Sequence, residues 1–475
     1  MPSLKPAQTF SSSLKLRPSE RRTLVFIGDA LMSLLALLFA LYFWARGDAF
    51  LDFSWEFIQR TPGWFFALPI FWLLFISSLY QAHRTEHWNE TLRSIAVAAT
   101  VGLGFYMVIY FFNEPNSLPR RGVAGFVAAA VLLTLIWRLV YIRVFTAPQF
   151  LRRILVVGGG ETGQIILRIV HEMVTQPFIV VGVIDDDPAK INTTIEGYPV
   201  LGGSERLLEL ACEYQISDLI VSISGKMRGS MFQALLDAQE QGIEIIRMPV
   251  AYEDLLSRVP IRYLEADWIL RSFVDQARSS TFYDIIKRLM DIVGGMVGLA
   301  ILTPMLPFIA LAIVLDNGFP VFYTQVRLGR GGNAYKMIKF RTMRNNAEPD
   351  GKPQWAEESD PRATRVGRFL RKVHLDEFPQ FWNVLRGEMS LVGPRAERPE
   401  LVNWFQDQVP FYRARLLVKP GLTGWAQVNQ DYAATVDETI TKLEYDLYYI
   451  KHRSLGTDMA VIIRTPMTMF GFRGR

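Results

Sequence analysis

The stretch "IVGGMVGLAILTPMLPFIALAIVL", residues 292–315, has no charge and is long enough to cross a bilayer, yet its surroundings oppose a crossing. A spanning helix needs ~20 apolar residues. Lys287 and Arg288 precede the stretch, and Arg327, Arg330, Lys336, Lys339 and Arg341 follow it. Basic residues stay on the cytoplasmic side, so both ends ask to face the cytoplasm. Pro304 and Pro307 each remove a backbone donor and clash with the preceding turn. Thr303 stands ready to bond a freed carbonyl. The expected form is a re-entrant hairpin over about 284–315, broken at Thr303–Pro304 and returning to the same face. The competing form is a kinked fifth spanning helix that places everything after it outside the cell.

Four further apolar segments, residues 24–43, 63–79, 95–112 and 123–144, lead the chain. They predict a four-helix transmembrane bundle, the first helix being too long and too embedded in the bundle for a cleaved signal peptide. Lys15, Arg17, Arg21 and Arg22 before the first helix, and Arg138, Arg143, Arg152 and Arg153 at the end of the fourth, put both ends of the bundle in the cytoplasm. Arg120 and Arg121 in an opposite loop count against that orientation. No buried acidic pair is legible, so the bundle reads as an anchor rather than an ion pathway. Half of the 475 residues are hydrophobic and only 20% are charged, which also indicates a membrane protein. The lone Cys212 rules out an internal disulfide and a cysteine-rich metal site. His83 and His87 lack a third ligand for zinc.

"RRILVVGGGETGQIILRIV" places a buried strand before Gly158, Gly160 and Gly163 and an amphipathic helix after them. The glycines permit a tight turn and close approach of a phosphate to the helix N-terminus. A second strand ends in Asp185, Asp186 and Asp187, and Asp185 is a candidate acceptor for a ribose hydroxyl. Residues 150–250 read as a Rossmann-like α/β domain with a candidate nucleotide site, although such a domain can also serve only as support. "YDIIK", residues 283–287, has a dehydrogenase-like spacing but runs into the apolar stretch, so no catalytic use is expected of it.

Further on, "VHLDEFPQFWNVLRGEMSLVGPR" sets Asp376 and Glu377 side by side among apolar residues. The plain reading makes Asp376 a helix N-cap and Glu377 a first-turn acid. Cations gather around the pair, however. "YKMIKFRTM" reads as a strand with Lys339 and Arg341 on one face, "VGRFLRKV" as a short helix carrying Arg368 and Arg371, and Arg395 closes the segment. They bracket apolar residues such as Phe340 and Leu370, which solvated charge does not explain. Cations for phosphate oxygens, with carboxylates for a metal that keeps its waters, suit a magnesium-bound diphosphate. No P-loop is present, so ATP is not the expected substrate.

"KFRTM", "DPRATRVGRFLRKVHLDEFPQFWNVLRGEMSLVGPR" and "KPGLTGWAQVN" resemble the bacterial polyprenyl-phosphate hexose-1-phosphate transferases, the monotopic phosphoglycosyl transferases. The resemblance covers residues 281–475, and the bundle and Rossmann-like domain match the family's long form. It implies transfer of hexose 1-phosphate from a UDP-sugar, with UDP-glucose and UDP-galactose foremost, to undecaprenyl phosphate. UMP is released, and a polysaccharide repeat unit is begun on the cytoplasmic face of the inner membrane. By this resemblance Asp376 is the nucleophile that forms a covalent phosphosugar, and Glu377 assists through Mg2+ or proton handling. Both are candidate metal ligands. Lys339, Arg371 and Arg395 match the family's basic positions, and Thr303-Pro304 takes the place of a Ser-Pro break. Ala396 stands where many members have proline.

The expected architecture is thus a membrane protein of mixed class. A cytoplasmic tail (1–22), a bundle (23–147), a Rossmann-like domain (150–250) and a linker (251–280) precede a mostly α-helical monotopic catalytic domain (281–475) with its re-entrant helix. Expected partners are the UDP-hexose, the lipid phosphate, the bilayer and, from the long form, a second copy; nucleic acid is not among them. "FYRARLLVKPGLTGW" offers Lys419 and Trp425 as nucleotide contacts, and residues 457–475 suit either a headgroup-level or a core helix. A channel gated by a Rossmann domain leaves the C-terminal third unexplained. A tethered oxidoreductase rests on "YDIIK" alone.

Overall fold

The computed structural model describes residues 18–46, 53–76, 88–112, 119–145, 151–173, 176–263, 281–344, 362–430 and 435–469. His83 and His87 fall outside them. The chain divides into two compact units, Met1–Leu256 and Ser257–Arg475.

The first unit opens with α1 (Pro18–Arg46), α2 (Trp55–Arg60), α3 (Leu68–Phe75), α4 (Trp88–Phe112) and α5 (Arg120–Phe145). α1 and α5 run antiparallel: the Trp137 ring covers Gly28, where a Cβ would lie 2.0 Å from it, and Gly125 faces Ala40. Ala36, Ala40, Ala129 and Ala130 are buried in the shared core. Such small side chains let helix backbones approach closely. Thr23–Arg46 and Arg120–Val144 are long and apolar enough to cross a membrane, whereas the second and third expected spans contain the shorter apolar helices Gly63–Phe75 and Thr91–Gly104.

The pair of helices α1 and α5 corrects one reading of the sequence. Arg138, read as a flanking cation, lies within α5, and its Nη2 donates to Asp29 Oδ2 of α1 at 2.6 Å with both side chains wholly buried. An apolar interior tolerates these charges because they are paired.

A six-stranded sheet follows, in the order β3-β4-β2-β1-β5-β6. Its strands are β1 (Arg153–Val157), β2 (Ile179–Ile184), β3 (Thr194–Ile195), β4 (Tyr198–Gly202), β5 (Asp218–Val221) and β6 (Glu244–Arg247). Every pairing is parallel except β3 with β4. Helices α6 (Glu161–Glu172), α7 (Leu207–Glu213), α8 (Gly229–Glu240) and α9 (Met248–Leu256) complete this Rossmann-like domain. Gly158 has φ +102°, and a Cβ on Gly163 would sit 2.0 Å from Gly158 O, so both glycines are needed for helix and turn to pack.

In the second unit, α10 (Thr281–Asn317) is one helix of 37 residues with Pro304 and Pro307 inside it. The expected helix-break-helix is therefore corrected to a continuous element. Thr303 Oγ1 donates to Leu299 O at 2.8 Å, not to the Ala300 carbonyl that Pro304 leaves free. Hairpin β7 (Phe322–Leu328) and β8 (Ala334–Phe340) comes next, then α11 (Arg365–Lys372), α12 (Phe381–Arg386), β9 (Ser390–Val392) and α13 (Pro399–Gln406). β10 (Gly421–Thr423), α14 (Trp425–Asn429), α15 (Val436–Lys451) and α16 (Leu455–Met469) close the unit. Val461 of α16 is buried beside Leu447 and Ile450, which makes this part of the tail a core helix.

The segment expected as a linker is described over residues 251–263. Residues 251–256 end α9, while Val259 and Ile261 are buried in the core of the second unit and Val259 N donates to Glu444 O.

Asp29→Ala takes away the carboxylate facing a buried guanidinium, so it should cost about 3–5 kcal/mol of stability. Asp29→Leu combined with Arg138→Met should restore most of that. Thermal unfolding in detergent checks both; an equal loss in the double variant would show that the two charges are not coupled.

Candidate active site

Three elements bring charged side chains together. β8 contributes Lys339, a six-residue 3₁₀ turn Leu375–Gln380 contributes Asp376 and Glu377, and the segment after β9 contributes Arg395. Lys339 Nζ donates to Glu377 Oε1 at 2.6 Å and Arg395 Nη2 donates to the same oxygen at 2.9 Å. The buried Asn383 fixes the register of these elements. Its Oδ1 accepts from Ile338 N, and its Nδ2 donates to Lys336 O and Glu388 Oε2. The motif strands β9 and β10 pair in parallel, and Arg395 bridges Gly421. Gly393 lies so close to Lys419 O that a Cβ would be 2.4 Å away.

Apolar neighbours of the charged residues seat the site. Phe340, Leu370 and Phe378 cluster with Leu302, Ile309 and Ile313 of α10. Each is adjacent in sequence to a site residue: Lys339, Arg371 and Glu377. This accounts for cations that bracket buried apolar side chains.

The two carboxylates differ sharply. Burial works against ionisation of Glu377, but the charges of Arg395 and Lys339 outweigh it and hold the carboxyl well below the usual range. Asp376 is 9% exposed, and burial together with the neighbouring Glu377 charge pushes it up to about 6. Its carboxylate takes no hydrogen bond from the described residues. Glu377 is thus a fixed anion between two cations, and Asp376 is uncommitted. Arg371, in the last turn of α11, adds a favourable charge toward Asp376.

Several expectations change here. Asp376 is not an N-cap: the cap position of its turn is His374, in the left-handed region at φ 56°. Arg341 does not join Lys339. It is 7% exposed, and its guanidinium donates to the carbonyls of Asn317, Gly318 and Phe319 at the C-terminal end of α10. Carbonyls at a helix end lack intrahelical partners and favour a cation. Thr303 and Pro304 lie within α10, and among Gly158, Gly160, Gly163 and Asp185 the carboxylate is already engaged. Asp185 Oδ2 accepts from Gly159 N and Lys190 Nζ, and Oδ1 from Asp187 N. Of the two residues offered as nucleotide contacts, Trp425 is 7% exposed and donates through Nε1 to Ser257 O. Asn383 escaped the sequence reading because an asparagine in a short helix gives no signal that it ties β8 to the Glu388 segment.

No cluster of three acidic, histidine or cysteine side chains suited to a metal occurs among the described residues. Magnesium keeps waters and phosphate ligands and asks the protein for only one or two carboxylates. Asp376 and Glu377 Oε2, neither hydrogen-bonded to a described residue, fit that demand.

Residues 282–472 match the family model described as bacterial sugar transferase, and residues 76–249 match one described as a CoA-binding domain. A UDP-N-acetylgalactosamine-undecaprenyl-phosphate N-acetylgalactosaminephosphotransferase of Aeromonas hydrophila is 39% identical over 232 residues, 48% of this chain and 55% of that protein. The chain therefore spans about half of that relative's length. A putative undecaprenyl-phosphate N-acetylgalactosaminyl 1-phosphate transferase of Bacillus subtilis is 46% identical over 28% of this chain and 74% of its own. A UDP-glucose:undecaprenyl-phosphate glucose-1-phosphate transferase of Xanthomonas campestris pv. campestris is 29% identical over 67% of each.

Arg341→Ala should lower stability by about 1–3 kcal/mol, the range for carbonyls left without a donor, and leave nucleotide-sugar affinity within about twofold. Thermal unfolding and calorimetric titration with UDP-sugar test this. A large loss of affinity with unchanged stability would return Arg341 to the phosphate site.

Proposed function

The chain belongs to the bacterial sugar transferase family, and from that premise we propose that it transfers hexose 1-phosphate from a UDP-sugar to undecaprenyl phosphate and releases UMP. The observation that carries this reading is the division of the dyad into a clamped Glu377 and an uncommitted, buried Asp376. An Asp376 carboxylate oxygen attacks the sugar-bearing phosphorus. That O–P bond forms as the bond from phosphorus to the bridging oxygen breaks, and UMP leaves with the bridging oxygen and its electron pair. An oxygen of the lipid phosphate then attacks the same phosphorus and frees the Asp376 carboxylate. Lys339, Arg371 and Arg395 stabilise the charge on the phosphate oxygens. Magnesium held by Asp376 and Glu377 would neutralise diphosphate charge; the side-chain cations orient the phosphates beside it.

The lipid acceptor is supported by α10. Arg288 and Asp291 near its N-terminal end and Asp316 and Asn317 at its C-terminal end all bond to the same unit: to Val384, Leu385, Ser390, Leu391, Val366 and Met343. A helix tied at both ends to one globular unit does not carry that unit across a bilayer. Its outward residues Phe282, Leu289, Met296, Phe308 and Leu315 are exposed and apolar, so α10 enters one leaflet and holds the site at headgroup level. We place the catalytic and Rossmann-like domains on the cytoplasmic face. A nucleotide phosphate at the Rossmann glycine turn would have to displace Asp185 from Gly159 N.

The test measures UMP from UDP-glucose, UDP-galactose and UDP-N-acetylgalactosamine with purified enzyme, undecaprenyl phosphate and magnesium. Asp376→Asn should reduce release by on the order of 10⁴-fold or more, and Lys339→Met by about 10²–10³-fold. UDP in place of UMP would overturn the covalent route. Chelation of divalent ions should abolish release and added magnesium restore it; unchanged turnover in chelator would remove the metal.

A further inference from the structure

Arg395 reaches Glu377 from a loop with little regular structure, and the surrounding contacts explain what holds it there. The guanidinium of Arg415, 4% exposed, donates through Nη2 to Arg395 O at 3.0 Å and to Asp446 Oδ2 at 2.7 Å. Its Nη1 donates to Tyr412 Oη at 2.8 Å. Arg327 Nη1 donates to the next carbonyl, Ala396 O, at 3.0 Å. One carboxylate joins these cations: Glu397 Oε1 accepts from Lys442 Nζ at 2.8 Å and Arg415 Nη1 at 3.4 Å, and Oε2 lies 3.7 Å from Arg327 Nη1.

We propose that Glu397 is a positioning residue for the transfer reaction: by gathering Arg415, Arg327 and Lys442 it fixes the backbone of Arg395–Ala396 and so aims the Arg395 guanidinium at Glu377. The inference rests on the function proposed above. Residues 395 and 396 have their carbonyls held by two arginines whose one common anion is Glu397, so neutralising it weakens both carbonyl contacts together, although Arg415 keeps Asp446. The side chain of Arg395 is 42% exposed and makes an ion pair only with Glu377 among the described residues, so its aim depends on its backbone.

The experiment compares Glu397→Gln with Glu444→Gln. Glu444 is a buried carboxylate on α15 that lies 3.7 Å from Arg258. Both variants should lose similar thermal stability. Only Glu397→Gln should lower kcat, by about tenfold, with the KM for UDP-sugar changed less than about twofold. Made in an Arg395→Lys background, Glu397→Gln should cost less than about twofold more, because the two residues act as a unit. An equal fold-loss in both backgrounds, or an unchanged kcat, overturns the proposal. If Glu397→Gln does not remain folded, Arg327→Lys, which gives up the Ala396 contact, is read in the same way. Wild-type enzyme that releases no nucleotide from any UDP-sugar would instead sink the reading of the reaction itself.

Discussion

One oxygen, Glu377 Oε1, holds the reactive end of the second unit together. Lys339 from a hairpin strand and Arg395 from the loop after β9 converge on it from sequence positions 38 and 18 residues away. A half-buried carboxylate in such a place is costly unless its charge is met by cations with good geometry. Two donors at 2.6 and 2.9 Å meet that demand and leave the adjacent Asp376 without a partner among the described residues. The asymmetry follows from the turn. In a 3₁₀ turn, consecutive side chains point about a third of a revolution apart, so neighbours in sequence face different surroundings. Had the pair opened an α-helix as caps, both carboxylates would have been drawn to backbone amides instead.

Much of this was legible in the sequence where a local rule governs the residue. Alternation placed β8, the glycine spacing placed the Rossmann turn, and the gathering of Lys339 and Arg395 near Glu377 could be read without their contacts. Where the deciding partner is remote, local rules failed. Arg341 shares a strand face with Lys339 by parity, but parity does not show that one end of that strand meets the last carbonyls of α10. Asp29 and Arg138 are 109 residues apart, and each looks ordinary within its own helix. Pro304 and Pro307 predicted a break because each removes a donor, yet α10 continues through both. Thr303 offers its hydroxyl to the preceding turn, and the helix packs Leu302, Ile309 and Ile313 on either side of the prolines against the catalytic core. That packing compensates locally for the lost hydrogen bonds.

The relation of α10 to the site is the deeper consequence. Phe340, Leu370 and Phe378 are packed on the middle of an apolar helix, and the residues beside them in sequence, Lys339, Arg371 and Glu377, carry charge. Along β8 and through two short helical turns, one side chain packs against α10 and its neighbour is charged. On the function proposed above, depth of the helix in lipid and position of the phosphate cradle are therefore not independent. If α10 rode deeper, Lys339, Arg371 and Glu377 would move with it into a medium that penalises charge; if it rode higher, a lipid phosphate anchored at headgroup level would fall short of Asp376. The polar ties at both ends of α10, from Arg288 to Arg341, hold the helix in one position relative to that cradle. The reaction proposed above, between a soluble nucleotide sugar and a lipid phosphate, needs this coupling, because two such substrates meet only at the membrane boundary.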